Sequence, residues 1–141
     1  MENDHQIHAS CVAWQGRGAL ILGASGAGKS GLALQLMAMG CALVADDRVD
    51  LRKSQDGLVA SGPDTIAGLI EARGIGVLRA PGGASATVAL AVDMDQSSTE
   101  RIPSRQMRQI AGFAVPIISR VEAPYFAAAV LQILKTGWSD R

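Results

Sequence analysis

The segment GASGAGKS, residues 23–30, carries the residue types needed to hold a phosphate chain. Gly23, Gly26 and Gly28 have no Cβ, so a backbone built from them, with Ala24, Ser25 and Ala27 between, can wrap an anion closely. Successive N–H groups then point inward. Lys29 brings a full charge toward the β and γ phosphates of a nucleotide, and the Ser30 hydroxyl is suited to Mg²⁺. A helix starting at this point adds free donors and partial positive charge. Such a loop holds a donor; the acceptor must be sought elsewhere in the chain.

Asp46 and Asp47 follow the apolar run CALVA, about where a metal-associated acid emerges beside a phosphate loop. On an extended strand two neighbours point to opposite faces, so both face the nucleotide only if the chain bends there. One acid would then hold Mg²⁺, directly or through water, and the other would take a proton from an attacking hydroxyl. A solvated strand end is the plain alternative. In EARGIG, Glu71 and Arg73 lie two residues apart, a spacing that shares no helix face, so a chemical pairing requires the helix to end there. Exposed charges at a helix terminus are the alternative. His8 sits in a strand leading toward the loop, either catalytic or simply exposed, and Arg101, Arg105 and Arg108 lie in or beside a polar segment. Those arginines either stabilise a transferring phosphoryl group or form an ordinary surface.

The elements that must position these groups are legible from periodicity. Strands are expected at 7–14 and 19–22, joined by a tight QGRG turn, and a helix over SGLALQLMAM with Leu32, Leu36 and Met39 at helical spacing and Gly40 as its stop. The loop thus sits between strand and helix. A strand at 41–45 continues through Val49 and Leu51 to a turn at Asp56-Gly57, then LVAS. PDTIAGLIEAR reads as a short helix, GVLRAP as a brief strand, 86–94 as a longer strand, and QSSTERIPSRQ as a loop. FAVPIIS reads as an edge or terminal strand because of Pro116, followed by a helix from about Pro124.

With 141 residues the chain has room for one domain, 1–141, and a respectable core. Lys and Arg total 13 and Asp and Glu total 13, so no overall field favours nucleic acid or an anionic membrane. Phosphate binding must be local. Cys11 and Cys41 lie in apolar runs without metal-ligand spacing and read as buried thiols. The polar start MENDHQIHAS does not resemble a signal peptide, and AGFAVPIIS is too short to span a bilayer, so a cytoplasmic location is expected.

Taken in order, HASCVAW, GASGAGKS, VADDRVDL and IEARGIGV resemble the catalytic domain of HPr kinase/phosphorylase, a family acting on a serine of the phosphocarrier HPr. The resemblance runs from Ile7 to about Val92, with weaker agreement at TERIP and FAVPIIS. It implies an α/β P-loop fold similar to the nucleotide domain of phosphoenolpyruvate carboxykinase, a mixed sheet with flanking helices, ATP and Mg²⁺ as cofactors, and often a homohexamer. It implies site roles too: Lys29 for phosphate, Ser30 and Glu71 for metal, His8 ahead of the loop, and Asp47 as proton acceptor in the kinase direction and donor in the phosphate-consuming one. Asp46 takes the metal-side role, and Arg101 matches the arginine of the family's DRLG-like segment.

The departures matter as much. The resemblance covers the catalytic domain alone, so the expectation is the short alphaproteobacterial form without the N-terminal domain of long members, tied to nitrogen-linked phosphotransferase systems. IISRVEAPYF stands where long members carry a PVRPGRN-like run linked to dephosphorylation and subunit docking. The expected function is an ATP-dependent serine kinase for HPr or a nitrogen-system paralogue, with phosphorolysis as a second activity. Two alternatives stay open: a P-loop kinase with a small-molecule acceptor, and a nucleotide-binding regulatory module that transfers nothing.

Overall fold

The computed structural model describes residues 4–63 and 68–139. The chain opens with β1 (Asp4–His8), then β2 (Ser10–Trp14) and β3 (Arg17–Leu22), which are buried on both faces, and the glycine-rich loop follows β3 directly. Gln15 and Gly16 have φ of 48° and 82°, so β2 and β3 are joined by a two-residue turn with both central residues left-handed, which matches the twist of a hairpin. After the loop come α1 (Lys29–Ala38), β4 (Ala42–Ala45), β5 (Arg48–Ser54) and β6 (Gly57–Ser61). The remainder is β7 (Leu69–Ala72), β8 (Gly76–Arg79), β9 (Ala86–Ser97), β10 (Gln106–Ile110), β11 (Phe113–Arg120) and α2 (Phe126–Thr136).

The main sheet is mixed, in the order β1-β5-β6-β9-β3-β2-β4, with β11 also paired to β9 and β10 paired to β11. β9 runs parallel to β3 and to β11, while the other ladders are antiparallel. Parallel strands end at the same sheet edge, so the C-terminal ends of β9 and β11 arrive beside the loop that leaves β3. β7 and β8 form a separate two-stranded sheet.

Strand alternation divides the core. Val12, Ala19, Ile21, Leu90 and Val92 face α1 and α2, whose buried residues include Leu32, Leu36, Phe126, Val130 and Leu134. Their sequence neighbours Cys11, Leu20 and Ala91 point the other way, against Val49 and Leu51 of β5, Leu58 of β6 and Val115 of β11. Among the described residues, no helix is long and apolar enough to cross a membrane.

Four expectations need correction. The strand expected over 7–14 breaks at Ala9, because β1 pairs with β5 whereas β2 pairs with β3 and β4. Ala9 N–H donates to the Asp47 carbonyl at 3.2 Å, so both chains turn at one corner. The helix expected over PDTIAGLIEAR is not formed at 69–72: Ile70 and Ala72 are buried while Leu69 and Glu71 are exposed, a period of two, and the segment pairs with β8. The earlier part of that expectation, 64–67, lies outside the described residues. The loop expected after Met94 begins later, since β9 continues to Ser97. Finally, Pro116 is not on an edge strand, since β11 lies between β10 and β9, but its missing N–H falls just before the β9 ladder begins at Ile117.

Burial pushes the Cys11 thiol up to about 12 from an ordinary value of 9.0, because the thiolate would be stranded in the core. The protonated thiol therefore supports folding fully below the ordinary value, and that contribution is lost as pH rises through about 12. Cys11 should resist alkylation at pH ~8 in the folded protein and react once denaturant is added, as read by peptide mass mapping. A second expectation concerns the corner ahead of Asp46: a β-carbon on Gly62 would lie 2.7 Å from the Val44 carbonyl oxygen and 3.3 Å from Ala45 Cβ. Gly62→Ala should cost about 1–3 kcal/mol in a urea unfolding measurement.

Candidate functional site

The loop between β3 and α1 adopts left-handed conformations at its glycines, with φ of 87° at Gly26 and 98° at Gly28, the residue that caps α1. No side chain caps this helix and no acid occupies its first turn, so the helix supplies its end charge without internal neutralisation. Ala24, Ser25, Gly26 and Gly28 are open to solvent. The Ala27 N–H donates to the Ala24 carbonyl at 3.0 Å, closing a turn. Lys29 Nζ donates to the carbonyls of Gly23 at 2.7 Å and Ala24 at 3.1 Å, which holds its ammonium against the loop.

Two residues outside the motif clamp the same loop. Asp95, near the end of β9, accepts the Ala24 N–H with both carboxylate oxygens, at 3.0 and 3.1 Å. Arg120, at the end of β11, donates from Nη1 to the Ala27 carbonyl at 3.2 Å. The peptide is trans, so its C=O and N–H point in opposite directions, and holding the Ala27 carbonyl turns the Gly28 N–H the other way. A register shift between Ser119 and Arg120 aims the arginine at the loop.

On the other side of β3, Asp46 leaves the end of β4 with its carboxylate buried. Its Oδ1 accepts the Ser30 hydroxyl at 2.7 Å and the Ser10 hydroxyl at 2.7 Å, and its Oδ2 accepts the Glu71 N–H at 3.1 Å. The start of α1, strand β2 and the β7–β8 hairpin thus meet on one carboxylate. Asp47 adopts φ 72°, a left-handed geometry that aspartate tolerates better than most residues. The chain bends without burying both acids: the Asp47 side chain is 69% exposed, and its Oδ1 lies 3.7 Å from Nδ1 of His8, itself 76% exposed.

The Glu71 carboxylate lies on the exposed face of β7, although its backbone is tied to Asp46. Arg73 follows in the turn to β8, and a β-carbon on Gly26 would sit 3.7 Å from its guanidinium, so this arginine leans over the loop. The three arginines grouped by sequence part company. Arg108 is bound to Asp93 at 2.8 Å, and Arg105 stacks over the Trp138 ring at 4.7 Å and donates to the Ser139 carbonyl. Arg101 lies exposed between β9 and β10, with no hydrogen bond or ion pair to the loop among the described residues.

Ser10, Asp95 and Arg120 were not legible as site residues. Asp95 had a usable signal, an acid near the end of a strand parallel to the one feeding the loop, whereas Ser10 and Arg120 act through partners far away in sequence. Chemically, Ser30 and Asp46 present hard oxygen donors beside an anion cradle, the set that Mg²⁺ accepts alongside phosphate oxygens and water. Among the described residues, no group of three His, Cys, Asp or Glu side chains forms a complete protein cage for a metal.

The family described as HPr Serine kinase C-terminal domain matches residues 1–119. Over 73 residues, 51% of this chain and 24% of the relative, the chain is 48% identical to an HPr kinase/phosphorylase of Bacillus cytotoxicus. Over 72 residues, 50% of this chain and 23% of the relative, it is 51% identical to an HPr kinase/phosphorylase of Caldicellulosiruptor bescii. The match thus spans about a quarter of the length of these curated relatives. The solved Hpr(Ser) kinase/phosphatase from Coxiella burnetii is similar with a TM-score of 0.77 and 26% identity, covering 93% of this chain and 88% of that one. On the family match and the shared fold, the chain belongs to the HPr serine kinase C-terminal domain family.

Proposed function

We propose that this domain is an ATP-dependent kinase that phosphorylates a serine of the phosphocarrier HPr or of a nitrogen-system paralogue. The names of its relatives support the substrate class, and the strand-loop-helix geometry supports a P-loop nucleotide fold like that of the phosphoenolpyruvate carboxykinase nucleotide domain. One observation carries the reading. Asp46 is bonded to Ser30 of the loop, and the next residue, Asp47, presents an exposed carboxylate at that same corner, where a protein substrate can reach it.

In this mechanism the backbone of 23–28 and Lys29 bind the phosphates. Ser30 and Asp46 hold Mg²⁺, with the Glu71 carboxylate on the adjoining hairpin as a further oxygen donor. Mg²⁺ bound with the nucleotide supplies neutralisation of phosphate charge. Asp47 accepts the proton of the attacking serine, whose oxygen bonds the γ phosphorus as the bond to the bridging oxygen breaks and ADP leaves, because a neutral hydroxyl is a poor nucleophile, and His8 lies 3.7 Å from that carboxylate. Arg73, already beside Gly26, contributes positive charge over the transferring group, and Arg101 joins it from the 98–105 loop when substrate docks. In the phosphate-consuming direction, orthophosphate attacks phosphoserine, the serine oxygen leaves with the proton returned by Asp47, and pyrophosphate is released.

Labelled ATP, Mg²⁺ and a panel of phosphocarriers, followed by mass-spectrometric mapping, should yield phosphoserine. Binding without transfer, or label on a small molecule alone, would contradict the proposal. Asp47→Asn should lower the transfer rate by about 10²- to 10⁴-fold with nucleotide affinity largely kept, whereas Lys29→Ala should weaken nucleotide binding itself. Equal behaviour of the two variants would contradict the assigned roles.

A further inference from the structure

Among the described residues two charged side chains are buried, Asp46 and Asp93. Asp46 belongs to the acid corner, whereas Asp93, on β9, takes no part in the proposed transfer. Its Oδ2 accepts the Arg108 guanidinium at 2.8 Å, and its Oδ1 accepts the Asp95 N–H at 2.9 Å. Asp95 in turn grips the Ala24 N–H of the loop. On the nucleotide-binding reading above, we propose that Arg108 is a positioning residue for phosphate binding: through Asp93 and Asp95 it fixes the peptide between Gly23 and Ala24, and that peptide fixes Lys29. The control comes from β10, which β11 and β9 separate from the strand that feeds the loop.

Strand pairing shows what holds Asp95. β9 is laddered to β3 as far as Leu22 and Asp93, and to β11 as far as Ser119 and Asp93. The next pair is Arg120 with Ser97, so a single step on β11 spans Met94, Asp95 and Gln96 on β9. These residues bulge from the ladder, and the bulge presents the Asp95 carboxylate to Ala24. A backbone N–H outside the ladder needs another acceptor, and for Asp95 it is the Asp93 side chain two residues earlier, the arrangement of an Asx turn. One carboxylate therefore holds the bulge in shape.

Arg108 holds that carboxylate in turn. It lies opposite Val115 of β11, and its side chain crosses that strand to reach Asp93. The Asp93 side chain is only 9% exposed, so without the arginine its charge would be buried and uncompensated. At the other end of the relay the peptide bond carries the effect. The Gly23 carbonyl and the Ala24 N–H belong to one trans peptide and point in opposite directions. Asp95 holds the N–H side, which turns the carbonyl side to Lys29, whose Nζ donates to it at 2.7 Å. A strut that merely tied β10 to the sheet would need only the pair of Arg108 and Asp93; the bond from the Asp95 N–H joins that pair to the loop.

Amide NMR of the free protein reads the relay without nucleotide. Asp95→Ala gives the position of the Ala24 amide resonance once its acceptor is gone. In Arg108→Ala that resonance should move most of the way from the wild-type position to the Asp95→Ala position. Arg108→Lys, which keeps the charge, should recover much of the wild-type shift, and Arg105→Ala, which removes an equal charge from a residue bound to Trp138 and Ser139, should leave it unmoved. If Arg108→Ala does not fold, Asp93→Asn takes its place: the shape is kept and no charge is stranded, but one oxygen must serve the donors that two served, so the same displacement is expected. Titration calorimetry with MgATP reads the consequence. Arg108→Ala should weaken binding by about fivefold or more in the wild-type background and by less than about twofold in the Asp95→Ala background, where the relay is already cut. A wild-type Ala24 resonance in Arg108→Ala or Asp93→Asn, or equal losses of affinity in the two backgrounds, would overturn the proposal. Failure of the wild-type protein to bind MgATP would overturn the nucleotide reading and the role of Arg108 in it, an outcome that the Ala24 resonance keeps apart from failure of the relay.

Discussion

A buried carboxylate with three hydrogen bonds holds this domain's site together. Asp46 takes hydroxyls from Ser30 of α1 and Ser10 of β2, and a backbone N–H from Glu71 of β7. Bonds to a charged group are worth about 1.5–3 kcal/mol each, and a carboxylate stranded in the same place would cost more than they return singly. The constraint bears on the β7–β8 hairpin, which among the described residues shares no ladder with the main sheet and is tied to it by packing of Ile70, Leu78 and Ala80 and by the bond from the Glu71 N–H to Asp46. Glu71 and Arg73 are therefore placed by an acid that lies 25 residues or more earlier in the chain.

The loop itself is shaped from the opposite flank. Parallel pairing brings the ends of β9 and β11 to the edge where β3 ends, and from there Asp95 fixes the Ala24 amide and Arg120 fixes the Ala27 carbonyl. Clamping peptides from outside orients the inward N–H groups without placing any side chain in the cradle. Preorganised donors of this kind stabilise charge without reorganisation at the moment of reaction. The two flanks differ: the β2 and β4 flank brings Asp46 and Asp47 to one side of the loop, and the β9 and β11 flank holds its peptides.

Much of this was readable from residue order, and the failures have physical causes. The strand-loop-helix unit was plain because Gly23, Gly26 and Gly28 sit between an apolar run and Leu32 and Leu36 at helical spacing. The acid pair was recognisable, but its split into one buried and one exposed group depends on the left-handed Asp47, a conformation that spacing does not encode. Leu69 to Ala72 was misread as helical because four residues are too few to reveal a period of two, and the pairing with 76–79 that decides it is tertiary. Arg105 and Arg108 looked equivalent to Arg101 in a polar run; only their partners Trp138 and Asp93 tell them apart. Ala111 and Gly112, with φ of 49° and 85°, form the turn between β10 and β11 that the composition of IAGF barely signals.

Amide hydrogen exchange at β7 in wild type and Asp46→Ala tests the role of this carboxylate most directly. Loss of the bond should speed exchange of the Glu71 amide by about tenfold or more while amides in the centre of β9 keep their wild-type protection. Wild-type protection at Glu71 in the variant would contradict the account, because the hairpin would then be held without the carboxylate on which the site is said to depend.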